Sequence, residues 1–172
     1  MEYFIVEAKG ISPEIKDWYR ILNPRIVSEG RYSELPEYLK YTVDPGEDIF
    51  YTDIISFPYF MITLEAQRLI NVYEPKMEFC DIFLFDLKNR RNKVYMLPYL
   101  ERIDCFHEDT LYNKGKSKII KPVIDSNRTG DKHFFRAVGQ SQTQAVMSIE
   151  LVESLLRRNI RGLGLVEVEI KE

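Results

Sequence analysis

The sequence predicts a single α+β domain, mainly an antiparallel sheet with two principal helices. Three observations predict it. Two segments place a hydroxyl residue ahead of an apolar stripe at helical spacing, one opening at Thr63 and one at Ser148, and both read as capped helices. Two apolar runs, residues 78–87 and 93–98, flank the polar cluster Lys88-Asn89-Arg90-Arg91-Asn92, which is the pattern of a hairpin. The length of 172 residues, 45% of them apolar, suits one domain that buries its core without a disulfide or metal staple. The domain is read as residues 1–172, with an irregular N-terminal part, 1–57, and a more regular part, 58–172.

In chain order, residues 3–6 form an apolar, β-prone opening strand, broken by Gly10 and Pro13. Residues 14–22 suit a short helix, stopped by Asn23-Pro24, and residues 25–28 a brief strand. Residues 29–50 read as loop, with one helical turn near 34–40. That stretch holds Gly30, Pro36 and the turn Asp44-Pro45-Gly46-Glu47-Asp48. After Thr63, Glu65 complements the helix dipole, and Ala66, Leu69, Ile70 and Tyr73 give the apolar stripe before Pro75 ends it. Residues 123–125 and 133–138 are further strand candidates, and 139–144 is a polar loop. Ser148 opens the clearest helix. Glu150 lies in its first turn, Leu151, Val152, Leu155 and Leu156 on its apolar face, and Arg157 and Arg158 near its end. Residues 165–170 close the chain as an alternating strand. The segments Met61-Ile62-Thr63-Leu64-Glu65 and Val146-Met147-Ser148-Ile149-Glu150 echo one another. Since the residues before them do not match, the echo reads as two helices solving the same capping problem.

The net charge of −3 is mild and argues against nucleic acid as a partner. Met1-Glu2-Tyr3-Phe4-Ile5 lacks the basic region and long apolar run of a secretion signal, and no run is long enough to span a bilayer. The expectation is a cytoplasmic protein with no membrane partner. Cys80 and Cys105 form no CxxC pair and are expected as reduced, buried thiols.

No stretch carries a recognisable catalytic motif, and no cofactor is implied. Asp125-Ser126-Asn127-Arg128-Thr129-Gly130-Asp131 opens like a calcium loop, but the twelfth position is Arg136 where that motif needs Glu, and the flanks read as strands. Asp104-Cys105-Phe106-His107-Glu108-Asp109 holds metal-ligand types without the spaced pairs of a zinc site, so a solvated acidic turn is the better reading. His133 reads as structural. Lys114, Lys116, Lys118 and Lys121 form a basic stripe that could touch phosphate or simply blunt a strand edge.

Three blocks carry a resemblance. Pro58-Tyr59-Phe60-Met61-Ile62-Thr63 leads into the first capped helix. Val94 begins a tyrosine-led strand running through Tyr95 to Ile103-Asp104-Cys105. His133-Phe134-Phe135-Arg136-Ala137-Val138 precedes the C-terminal helix. In this order and spacing, residues 58–172 resemble the "immunity protein eleven" family of bacterial polymorphic-toxin systems. The resemblance implies a non-catalytic protein that binds and neutralises a cognate toxin. It carries over no catalytic residue. The expected contact lies in residues 31–53, where Tyr32, Tyr38, Tyr41 and Tyr51 accompany Asp44, Glu47 and Asp48. Tyrosines give contact area at low entropy cost, and acids steer a basic partner. The alternatives are an enzyme whose site is assembled from scattered residues, and a weak nucleic-acid binder using the lysine stripe.

Overall fold

The computed structural model describes residues 1–10, 13–44 and 51–172. The N-terminal part holds β1 (Tyr3–Ala8), β2 (Glu14–Ile15), α1 (Trp18–Ile21), α2 (Pro24–Ser28), a 3-10 turn (Tyr32–Glu34), β3 (Tyr38–Asp44) and β4 (Ile54–Ile55). The centre holds β5 (Met61–Ile62), α3 (Leu64–Tyr73), β6 (Phe79–Asp86), β7 (Arg91–Pro98), β8 (Arg102–Ile103), β9 (Leu111–Tyr112) and β10 (Ile119–Lys121). The chain ends with β11 (Val123–Asp125), α4 (Ser126–Thr129), β12 (Phe134–Ala137), β13 (Ala145–Ser148), α5 (Ile149–Arg157), β14 (Leu163–Glu167) and β15 (Glu169–Lys171).

The fold class is α+β, as the sequence predicts. A six-stranded sheet runs in the order β2-β3-β6-β7-β5-β4, and a five-stranded sheet in the order β14-β1-β13-β12-β8. Most pairings are antiparallel, whereas β3–β6, β8–β12 and β11–β15 are parallel. The two principal helices, α3 and α5, pack against each other. Ala66 and Ile70 of α3 and Leu151, Val152 and Leu155 of α5 join Val6, Phe60, Ile62, Met96, Phe134 and Met147 from both sheets in one buried cluster. A second cluster covers the other face of the six-stranded sheet, under residues 15–35. A third, with Tyr3, Cys105, Phe106 and Phe135, covers the other face of the five-stranded sheet.

The two helices share more than a sequence echo. The units β4-β5-α3-β6-β7 and β12-β13-α5-β14 build the same arrangement, with β1 completing the second. In space the strands run β4-β5-β7-β6 in one and β12-β13-β1-β14 in the other. Each helix joins two strands that flank a third, antiparallel to both. The expected shared feature, the cap, is the one that differs. Ser148 Oγ accepts from Leu151 N at 3.4 Å, whereas Thr63 holds the N-cap position but turns its hydroxyl to Asp53 Oδ1 at 3.3 Å. The likeness is therefore one of topology. No linear repeat records it, because the fourth strand of the second unit comes from the opposite end of the chain.

Four further expectations change. Only residues 18–21 of the expected 14–22 helix are helical; Glu14–Ile15 pairs with β3, and Asp17 with φ 49 separates the two. Residues 25–28 are helix and not strand. Asn23 accepts from Arg25 N and Pro24 fills the first turn, so a dipeptide read as a stop is a start. The loop expected over 29–50 contains β3. Leu39, Tyr41 and Val43 point into the core and alternate with exposed residues, and the strand runs parallel to β6 over Tyr38 to Val43. The closing strand is broken at Val168, where the chain leaves β1 and joins β11.

Candidate binding surface

Of the seven residues expected to make a partner contact, the five that are described, Tyr32, Tyr38, Tyr41, Asp44 and Tyr51, do not form one surface. Tyr41 is 1% exposed and packs in the core cluster beneath residues 15–35, so it offers no contact area; this corrects the sequence reading. Burial pushes its phenol well above the usual tyrosine range. Its hydroxyl lies beside that of Tyr59, outside hydrogen-bond geometry, while Tyr59 donates to Leu22 O at 3.3 Å. Tyr32 is half-buried and holds the fold. It stacks on Tyr99 with centroids 4.6 Å apart, its hydroxyl donates to Leu100 O at 3.2 Å, and it accepts from Arg136 Nη1 at 3.3 Å.

Tyr38 is exposed. It meets Phe83 edge-on at 5.9 Å, with Lys40 Nζ 5.1 Å from its ring centre. Asp44 ends the same strand, about 20 Å away at the usual rise per residue. Its carboxylate is held low by the Lys16 ammonium, which it meets at 2.6 Å, so its charge is already matched. Tyr51 is half-buried. Glu47 and Asp48 lie outside the described residues.

Another surface is better built for contact. Trp18 is the only tryptophan in the sequence and lies on α1. Its ring meets Tyr19 at 5.9 Å, Phe57 at 5.6 Å and the buried Tyr59 at 5.8 Å, each nearly perpendicular. Edge-to-face geometry of this kind contributes beyond the area it buries. Tyr19, Ile21 and Phe57 are 56%, 48% and 44% exposed. The patch thus has a half-buried anchor on a core tyrosine and three apolar side chains open to solvent. Its rim carries paired charges, Lys16 with Asp44 and Arg20 with Asp17 at 3.8 Å. Composition carried one signal for it: the lone Trp followed by Tyr. Its place was hidden because Phe57 is far away in sequence.

The stretches with metal-ligand or nucleophile character have structural duties. Asp125 caps α4 by accepting from Asn127 N at 3.0 Å and pairs with Arg128 Nε at 2.9 Å. Cys105 is fully buried, with its thiol pushed up to about 12 by burial, whereas His107 accepts from Asp109 N and Asp109 pairs with Lys171. Cys80 is equally buried, its thiol pushed up to about 11 by burial. Both are free thiols. His133 is partly exposed, and its Nδ1 lies 2.7 Å from the buried Ser148 hydroxyl that caps α5. Lys121 is paired with Glu169 at 2.5 Å, while Lys114, Lys116 and Lys118 belong to the turn between β9 and β10, fastened by Asn113 to Ser117 and Lys118. Among the described helices none is long and apolar enough to cross a membrane.

Neither a family model nor a curated protein matches the chain.

Proposed function

We propose that this chain is a non-catalytic protein-binding module that neutralises a cognate bacterial toxin in the cytoplasm, and that it docks through the aromatic patch of α1 and Phe57. The patch carries the reading. Aromatic side chains dominate the energetic centre of protein interfaces, and a rim of matched charges excludes water around them. The resemblance of residues 58–172 to toxin-immunity proteins supplies the kind of partner. The N-terminal segment outside that resemblance supplies most of the patch, as suits a surface that must fit one toxin on a shared scaffold. The contact is anchored by aromatics more than steered by acids, since Asp44 and Asp17 already face cations.

Co-expression with the product of the neighbouring gene tests the reading. Growth should be rescued by the wild-type chain and lost with Tyr19→Ala and Phe57→Ala together, at unchanged expression. Full protection by the double variant would place the interface elsewhere, and a neighbour that is not toxic would remove the toxin claim. A nucleic-acid contact is the second reading. It is favoured by Lys114, Lys116 and Lys118, which make no ion pair among the described residues. Strongly salt-dependent binding of DNA or RNA that vanishes when these three become Gln would favour it.

A further inference from the structure

β14 is the longest strand at any sheet edge among the described residues; the other edges of the two large sheets, β8, β2 and β4, are two residues long. Its inner side pairs with β1 from Leu163↔Ala8 to Glu167↔Phe4, and no described residue pairs with its outer side. An edge of this kind presents a row of unmet backbone donors and acceptors, and proteins usually blunt it with brevity, Pro, Lys or a bulge. β14 reads Leu-Gly-Leu-Val-Glu and carries none of these devices along its apolar centre.

The ladder fixes which groups face outward. Lys9 N donates to Gly162 O at 2.8 Å, and on the opposite side of β1 Ile149 N donates to Glu2 O at 2.9 Å. Odd-numbered residues of β1 therefore bond to β14, and even-numbered ones to β13. By the register, Gly164 and Val166 spend their backbone groups on Glu7 and Ile5. Leu163, Leu165 and Glu167 turn theirs to the free edge. Leu165 is 37% and Val166 43% exposed.

We propose that this edge pairs, antiparallel, with β14 of a second copy of the chain, joining two five-stranded sheets into one continuous sheet. The strand is complementary to itself about a twofold axis through Leu165. There, Leu165 exchanges both backbone hydrogen bonds with its mate, and Leu163 exchanges both with Glu167 of the mate, so every outward group is met. On one face Leu165 lies against its mate beside the core residue Val6. On the other, Val166 lies opposite Gly164 of the mate, whose missing side chain leaves it room. Glu167 falls at the ends of the pairing and away from its own copy, so the two carboxylates do not oppose each other. This inference does not depend on the toxin reading, because β14 and the aromatic patch share no residue.

The test uses the whole chain in analytical ultracentrifugation over a concentration series, with Leu165→Pro and Leu165→Arg as variants. The wild type should show a monomer–dimer equilibrium. Proline at 165 removes only an outward N–H, so the β1–β14 ladder survives. Each dimer loses two axial hydrogen bonds at a factor of about five each, so association should weaken roughly twenty-five-fold. Leu165→Arg should abolish it by placing like charges on the axis. Amide exchange at Leu163, Leu165 and Glu167 should slow as concentration rises in the wild type alone. A wild type that stays monomeric to millimolar concentration overturns the proposal. So does a dimer that persists in both variants, or one that forms without protecting those three amides.

Discussion

Arg136 is the largest buried side chain of β12, 1% exposed. Its guanidinium donates to Val27 O at 2.9 Å, Gln142 O at 3.2 Å, Gln144 O at 3.3 Å and the Tyr32 hydroxyl at 3.3 Å. One planar fork thus ties the end of α2, the 3-10 turn and the loop before β13 to the five-stranded sheet. Burial lowers the guanidinium pKa, yet arginine stays charged in proteins. Replacing it by Met keeps much of the volume and orphans the acceptors. Four charge-assisted bonds at about 1.5 kcal/mol each give roughly 6 kcal/mol, and relief of the buried charge returns several of these, leaving a net loss near 3 kcal/mol. For a domain of this size that lowers Tm by about 10 °C. Thermal unfolding read by circular dichroism measures it. Amide exchange around α2 should accelerate before global unfolding, because α2 loses its tether to the sheet. An Arg136→Met protein as stable as wild type would refute the reasoning: the carbonyls would then be satisfied by local relaxation, and the arginine would be a cost and not a clamp.

Four other outcomes follow from the same geometry. Gly162 has φ 93 and an added Cβ would lie 2.7 Å from Ile54 O, so Gly162→Ala should destabilise the fold by about 2 kcal/mol or more, read as a lower denaturant midpoint, whereas Gly10→Ala, with open space around it, should cost less. Ser148→Ala should cost about 1 kcal/mol through the lost cap, and Thr63→Val less, since Thr63 does not cap its helix. Tyr41→Phe should leave stability unchanged or raise it, because it removes a buried hydroxyl without a partner among the described residues. Stability should fall as pH rises above 9. The folded state holds the Cys80 and Cys105 protons to about 11 and 12, and Tyr59 to about 12, against ordinary values of 9.0 for a thiol and 10.0 for a phenol, so the unfolded chain releases its protons first. The loss begins at the unfolded values and is complete above the folded ones; a urea midpoint unchanged between pH 8 and 11 would contradict it.

What the sequence made legible follows where local chemistry and the tertiary environment agree. The β6–β7 hairpin, both principal helices and the Ser148 cap could be read because each element carries its own signal: an apolar run, a polar turn, a hydroxyl ahead of a stripe. β3 could not be read so easily. Its alternation, with Leu39, Tyr41 and Val43 inward, lies between Pro36 and Pro45 in a stretch dense with turn residues, and its partner β6 is about forty residues away and parallel. The N-terminal tyrosines misled for a related reason. A tyrosine serves equally in a thin core and on a contact surface, and only the register of β3 separates Tyr41, inward, from Tyr38, outward. The matching arrangement of the two βαβ units was hidden by strand β1, which enters the second unit from the far end of the chain.

The proposed contact is a toxin held by the patch of Trp18, Tyr19, Ile21 and Phe57. Isothermal titration calorimetry of the purified chain against the catalytically inactivated product of the neighbouring gene tests it most directly. Saturable binding with one site per chain is the expected result. Tyr19→Ala with Phe57→Ala should lose at least about 2 kcal/mol, roughly thirtyfold in Kd, and Tyr38→Ala at the far end of β3 should change little. Tight binding that ignores the patch variant, or no binding by a wild-type chain that is folded, would contradict it.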